Sequence, residues 1–378
     1  MTRRARTLSL PHRILMTVDA VGGVWRYGVD LCRSLNAAGV EVVLACLGPA
    51  PGPDRMNELA ALTDTILIAV DEPLDWLAPS ADALRHIAGR LEQLADVHRV
   101  ALLHLNLPSQ AAGLRRGLPV VVASHSCVVT WWATMRNTPL PHEWSWQLEM
   151  NRAGLHRAEV VLAPTHSHAA QLRDAYGATW PLHVVPNAVT PRGTADRASR
   201  PRGHFVLAAG RWWDEGKNGA LLDRVAPLIH APLRAAGDCR GANGQVFTFA
   251  RAVAEGALSH GQLGSLMDKA SIFVSPSLYE PFGLAALEAA ESGAALVLSD
   301  IPTYRELWDG AACFADPRDP SAFAEAINHL LADATTCGRM ATRAGGRAAA
   351  FTPQMQLASV LAAYEAAMSM AVEQGPLV

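Results

Sequence analysis

The stretch Tyr279-Glu280-Pro281-Phe282-Gly283-Leu284-Ala285-Ala286-Leu287-Glu288 sets two carboxylates, Glu280 and Glu288, eight positions apart around a Phe-Gly-Leu turn. The apolar run Ile272-Phe273-Val274 precedes it and a helix-like segment follows. This reads as a strand, a loop and the start of a helix. Backbone N–H groups at such a start are unpaired and point outward, so they attract an anion such as a diphosphate. A carboxylate in the loop and another in the first helical turns cannot bind phosphate, but both accept hydrogen bonds from hydroxyls. Phosphate beside hydroxyls suggests a nucleotide sugar.

Outward from this stretch, short apolar, β-branched runs alternate with helix-like segments. In the first half they are Ile14–Val18, Val40–Leu47, Thr65–Val70, Val100–Leu105, Val120–Ala123 and Val160–Ala163. In the second half they are Phe205–Ala209, Ala270–Ser275, Ala294–Ser299 and Ala312–Ala315. Continuous apolar runs suit strands buried on both faces, which predicts an α/β chain with parallel sheets. A length of 378 residues predicts two domains. The expected division is 1–190, a polar Pro- and Arg-rich linker over 191–203, and 204–352, followed by an Ala-rich helix within 355–378. Two such halves place ligands at the carboxyl ends of the strands, facing a central cleft.

Composition excludes some partners. Apolar residues make up 50% of the chain and charged residues 18%, enough for two cores. A net charge of -3 lacks the basic excess that nucleic-acid binding wants. The six cysteines are scattered, with no Cys-x-x-Cys, which reads as buried thiols in a reducing compartment and predicts a cytoplasmic protein. No apolar stretch is expected to reach the ~18–20 residues of a membrane span. The basic start Met1-Thr2-Arg3-Arg4-Ala5-Arg6 is followed by no long apolar signal core. It reads as a solvated arm, with weak peripheral contact to anionic lipid as the alternative.

Strand Ile14–Val18 runs into Asp19-Ala20-Val21-Gly22-Gly23-Val24 and then a helical pattern from Trp25 to Leu35. Gly22 and Gly23 either let backbone approach a ligand or form an ordinary turn between strand and helix. No Gly-x-Gly-x-x-Gly occurs, which argues against a dinucleotide site. Strand Phe205–Ala209 runs into Gly210-Arg211-Trp212-Trp213-Asp214-Glu215-Gly216-Lys217-Asn218. As a P-loop this has one residue too many between its glycines, and Asn218 stands where a hydroxyl would hold magnesium. It reads better as two cations, Arg211 and Lys217, flanking one anion. Lys217 is one of only two lysines in an arginine-rich chain, which points to a task arginine cannot fill. His125 ends strand Val120–Ala123 at the cleft-facing side, a functional address. Trp131, Trp132, Trp144 and Trp146 form either an acceptor pocket or a local core under a loop. No Asp-x-Asp, His-x-x-x-His or His-Glu-x-x-His occurs, so neither a metal site nor another cofactor is expected.

These elements, in this order, resemble a retaining glycosyltransferase of family 4. Gly22-Gly23-Val24 resembles the family's opening glycine loop. Val185-Pro186-Asn187-Ala188-Val189 resembles its Pro-Asn-Gly-Val hinge, with Ala188 in place of Gly. Gly210 to Lys217 resembles its phosphate-gripping loop, one residue longer than the commonest form. Glu280 and Glu288 match its Glu-x7-Glu signature, and Asp300-Ile301-Pro302 with Glu306 fit the segment beyond. The resemblance implies the GT-B fold, two Rossmann-like domains, with the last helix crossing back to the first. It implies that Arg211 and Lys217 bind the donor diphosphate and that the amides near Phe282, Gly283 and Leu284 cap it. Glu288 would bind the ribose, Glu280 the transferred sugar, His125 the reacting centre, and Gly22 and Gly23 the far side. The implied activity is metal-independent, retaining transfer from a nucleoside diphosphate sugar to a glycan, lipid or small-molecule acceptor. Two rivals are a catalytically silent sugar-nucleotide-binding subunit and a nucleotide-sugar 2-epimerase, which would need acids such as Glu143 or Glu149 near His125.

Overall fold

The structure is a computed structural model that describes residues 10–177, 180–191 and 202–374. The basic arm Met1–Arg6 and most of the linker lie outside the described residues. Thirteen strands are numbered in chain order: β1 Arg13–Asp19, β2 Glu41–Leu47, β3 Thr65–Val70, β4 Leu102–Leu105, β5 Val120–Ala123, β6 Val160–Ala163 and β7 Leu182–Val184, then β8 Gly203–Ala209, β9 Leu233–Ala236, β10 Val253–Gly256, β11 Ala270–Ser275, β12 Ala295–Ser299 and β13 Cys313–Ala315. The first seven form one parallel sheet, ordered β3-β2-β1-β4-β5-β6-β7. The last six form a second, ordered β10-β9-β8-β11-β12-β13. Both are doubly wound. The order reverses between β1 and β4 in one and between β8 and β11 in the other, and ligands bind at such reversals.

Alternation along β1 explains why the strands are apolar throughout. Ile14, Met16 and Val18 face the layer containing the helix Gly23–Ala37, while Leu15 faces the opposite layer with Leu91 and Leu155. Each such buried side chain contributes roughly 1.5–3 kcal/mol. The second sheet is covered the same way: Leu207 and Phe273 face one layer, Val206 and Ile272 the other.

Strands β7, β9 and β10 carry no continuous β-branched run. Two of them, β7 and β10, are sheet edges with exposed positions and need less apolar surface. Leu-Arg-Ala-Ala in β9 is held by pairing with β8 and β10 rather than by strand propensity.

The helix Pro353–Gln374 packs against the first sheet's layer. Val360, Ala363, Tyr364 and Ala367 are fully buried, and their spacing places them on one helical stripe. The chain enters and leaves the second half side by side: Val189 N–H donates to Phe351 O (3.2 Å), and Gln356 Nε2 donates to Pro186 O (3.2 Å). The expectation about membrane spans needs a correction. The region Ala334–Glu373 is long and apolar enough, by length and composition, to cross a membrane. Here it is two helices, Ala334–Ala348 and Pro353–Gln374, separated before Pro353, and the second spends its apolar stripe on the core.

Candidate active site

The loop after β8 is built around Asp214. Its Oδ1 accepts from Gly216 N–H (2.9 Å), its Oδ2 from Arg211 Nη2 (3.3 Å), and its carbonyl from Lys217 N–H (2.9 Å). Asn218 closes the loop in the left-handed region at φ 57°, which Asn tolerates better than most residues. Its side-chain N–H groups donate to Pro276 O (3.0 Å) and Pro317 O (2.8 Å), tying the loop to the ends of β11 and β13. Lys217 Nζ donates to Glu280 Oε2 at 2.6 Å, with both side chains largely buried.

Beyond Glu280, Gly283 precedes the helix Leu284–Glu291 at φ 94°, a left-handed conformation that a Cβ would strain. A Cβ there would also stand 2.7 Å from the ring of Tyr304, which is buried with its hydroxyl 2.6 Å from Ser275 Oγ. Among the described residues no side chain caps this helix, so its first N–H groups remain available to an anion. Glu288 lies on the same helix and is nearly buried. The Phe282 ring packs edge-to-face on Phe351, centroids 5.7 Å apart, so it reaches the site as structural support.

The opposite wall comes from the first sheet. Asp19, the last residue of β1, accepts from Val21 N–H (2.9 Å) and Gly22 N–H (3.3 Å), which shapes the glycine loop. A Cβ on Gly22 would stand 2.6 Å from Arg211 Nη1, and one on Gly23 would stand 3.4 Å from Leu284 Cδ1. The two glycines therefore face the cation loop and the helix start of the other domain. His125 Nε2 lies 2.9 Å from Asn106 Oδ1. Asn106 spends its own Nδ2–H on Thr17 O (2.6 Å), so its Oδ1 accepts and His125 Nε2 is the donor. Tyr27 meets the imidazole edge-on at 4.3 Å. Burial, with His104 and His168 adding to it, lowers the His125 pKa to about 3, so the ring is neutral at physiological pH.

All ten residues expected at the site, Gly22, Gly23, His125, Arg211, Lys217, Glu280, Phe282, Gly283, Leu284 and Glu288, line one cavity of about 360 Å³ between the sheets. Several further residues of the cavity were not expected at the site. Arg26 lines it, bonded to Asp30 and close enough to Glu288 to feel its charge. Asn187, in the hinge-like segment, presents a buried Oδ1 with no donor among the described residues. Asp214 and Tyr304 line it too; an acid three positions from Arg211 was the available clue to the first. Glu143 and Glu149 are exposed and lie outside the cavity, which leaves the epimerase alternative without its acids. The tryptophans are split. Trp146 packs on the core, Trp132 meets Trp144 at 5.2 Å, and Trp131 reaches across the cleft to Asp214.

Comparisons with known proteins bear on the family and the fold. Residues 21–192 match the family described as Glycosyltransferase Family 4, and residues 203–333 match Glycosyl transferases group 1. Glycogen synthase of Mycobacterium tuberculosis is 41% identical over 96 residues, 24% of this chain, and the match spans 23% of that enzyme's length. The MMP alpha-(1->4)-mannosyltransferase of Mycolicibacterium hassiacum is 26% identical over 354 residues, covering 85% of this chain and 82% of that one. Among solved structures, Anabaena HepE in complex with UDP-glucose superposes with a TM-score of 0.70 at 15% identity, covering 96% of this chain and 100% of that one. The fold is GT-B, and the chain belongs to glycosyltransferase family 4.

Proposed function

We propose that this protein transfers a sugar from a nucleoside diphosphate sugar to a hydroxyl-bearing acceptor, with retention at the anomeric carbon and without a metal ion. The observation that carries this is the shared cavity, where two cations and an uncapped helix start meet two carboxylates from one domain and a neutral histidine from the other. Leaving diphosphate is met by Arg211, Lys217 and the N–H groups after Gly283, which take the place of a metal. The donor exchanges partners with the protein. Its phosphate takes Lys217 from Glu280, and Glu280 then accepts from the sugar hydroxyls. His125, neutral, serves as a hydrogen-bonding group and not as an acid.

Retention follows a front-face route. Among the described residues lining the cavity, the carboxylates are Asp214, Asp238, Glu280 and Glu288, all from the C-terminal half. None faces the sugar from the N-terminal wall, where a covalent nucleophile would stand. HepE, solved with UDP-glucose, supports a nucleotide sugar as donor. The six unpaired cysteines support a reducing compartment, which we take to be the cytoplasm. The test is a thermal-shift screen with UDP, GDP, ADP and their sugars. One nucleotide is expected to raise the melting temperature, since ligand at a hundred times its Kd stabilises by about 2.7 kcal/mol. No shift with any of them overturns the proposal.

A further inference from the structure

The middle of the cation loop touches the N-terminal domain at three consecutive residues. Trp213 stacks on Trp76, with ring centroids 6.0 Å apart and planes 18° apart. Asp214 Oδ1 accepts from Trp131 Nε1 at 3.2 Å. Glu215 pairs with Arg136 at 2.8 Å, and the Arg136 guanidinium sits 4.9 Å from the centre of the Trp131 ring. Bare backbone lies beneath this contact: a Cβ on Gly216 would stand 3.1 Å from Trp131 Nε1.

Asp214 connects these contacts to the donor grip. The oxygen that accepts from Trp131 also accepts from Gly216 N–H, and the other accepts from Arg211. Arg211 in turn lies 5.4 Å from the centre of the Trp213 ring. The guanidinium is therefore oriented by two neighbours, Asp214 and Trp213, each of which is held by an indole of the opposite domain. An aspartate with a fixed partner on one oxygen presents the other in a fixed direction, and preorganisation of this kind is what a phosphate-binding arginine requires.

We propose that Trp131 is a positioning residue: acting through Asp214, it sets Arg211 and Lys217 toward one anion while the two domains are in contact. That the anion is a donor diphosphate rests on the function proposed above; the dependence of the loop on Trp131 does not. The opposing view is a loop held by its own bonds, Asp214 to Gly216 and Asn218 to its two carbonyls, with Trp131 a bystander.

The test is Trp131→Phe, which keeps the ring and removes the N–H, beside Trp132→Phe, whose N–H bonds, among the described residues, to Thr138 and Pro139 of its own domain. Hydrogen exchange without ligand is read first. The Gly216 and Lys217 amides are expected to exchange about tenfold faster in Trp131→Phe and at the wild-type rate in Trp132→Phe. Calorimetry with UDP, GDP and ADP is read second. The nucleotide that binds wild type is expected to bind Trp131→Phe about tenfold more weakly, the size of one hydrogen bond to a charged group. Combined with Asp214→Ala, the two losses should not add. Wild-type exchange in Trp131→Phe, or additive losses, would overturn the proposal. If no nucleotide binds wild type, the donor reading fails and the exchange comparison alone decides the positioning role.

Discussion

On the C-terminal wall of the cleft, Lys217 is held by Glu280 and Arg211 by Asp214, whereas across from them His125 is held by Asn106 and Tyr27, all uncharged. On the charged wall the Lys217–Glu280 pair is one that a phosphate can exchange, while Asp214 keeps Arg211 oriented. The neutral wall is a hydrogen-bonded network of uncharged groups, buried except where half-buried His125 reaches the cavity. Thr17 accepts from Asn106, and its own hydroxyl donates to Gln110 Oε1 at 2.6 Å. Tyr27 and His104 lie 3.3 Å apart, and His104 Nδ1 lies 2.8 Å from Tyr364 OH. The division suits a reaction in which charge develops on a leaving phosphate and the sugar must be kept in place. Interactions that respond to charge belong near the phosphate, and rigid neutral ones near the ring.

The largest effect is expected from breaking the charged wall. Lys217→Ala should slow turnover about 10²- to 10³-fold, the usual consequence of losing one well-placed group facing a developing anion. It also leaves Glu280 without its cation in a largely buried position, so the variant's fold must be checked by circular dichroism alongside the rate. A folded Lys217→Ala enzyme with an unchanged rate would refute the division between the walls.

The neutral wall predicts an acid limit. Burial lowers the pKa of His125 to about 3 and those of His104 and His168 to about 4. In the unfolded chain these groups return to about 6.5. Below that value the unfolded chain takes up protons that the folded chain refuses, so stability falls as pH drops through the window between 6.5 and the folded values. Each histidine contributes a slope of about 1.4 kcal/mol per pH unit once its unfolded form is charged. Urea unfolding at pH 7, 6 and 5.2 measures it, above most carboxylate titrations. His125→Gln should reduce the slope by about one proton. An equal slope in wild type and His125→Gln would show that His125 is not held neutral in the folded chain.

The two walls were unequally legible in the sequence. The charged wall is local: Arg211 to Lys217 and Glu280 to Glu288 lie in short segments after strands β8 and β11, so spacing and residue type announce them. The helix start at Gly283 is legible for the same reason. The neutral wall is assembled from the ends of β1, β4 and β5, the helix after β1 and the crossing helix, over separations such as 260 residues between His104 and Tyr364. No window of sequence contains it, and only His125 stood out. Asp19 and Asp214 act through backbone N–H groups and neighbouring side chains, which residue identity does not reveal. The fold followed the same rule. Strands with continuous Val, Ile and Leu runs are apparent from composition, while the edge strands β7 and β10 and the alanine-rich β9 depend on neighbours for their pairing.

The smallest expected effect probes the far end of the neutral wall, where the crossing helix meets it. Tyr364 is fully buried, and its hydroxyl is the partner of His104 Nδ1. Tyr364→Phe keeps the ring and its T-shaped contact with His104, centroids 5.7 Å apart, and removes only the oxygen. One ring nitrogen of His104 is then buried without a partner, which costs about 1–3 kcal/mol. The other still faces Tyr27 OH, so the imidazole can change tautomer and recover part of that loss. The effect should appear as reduced stability in urea, with turnover changed far less than in Lys217→Ala because the groups proposed to face the phosphate are untouched. If Tyr364→Phe instead slowed turnover as much as Lys217→Ala while leaving stability unchanged, the neutral network would be taking part in the chemistry, and the contrast between a responsive wall and a fixed one would fail.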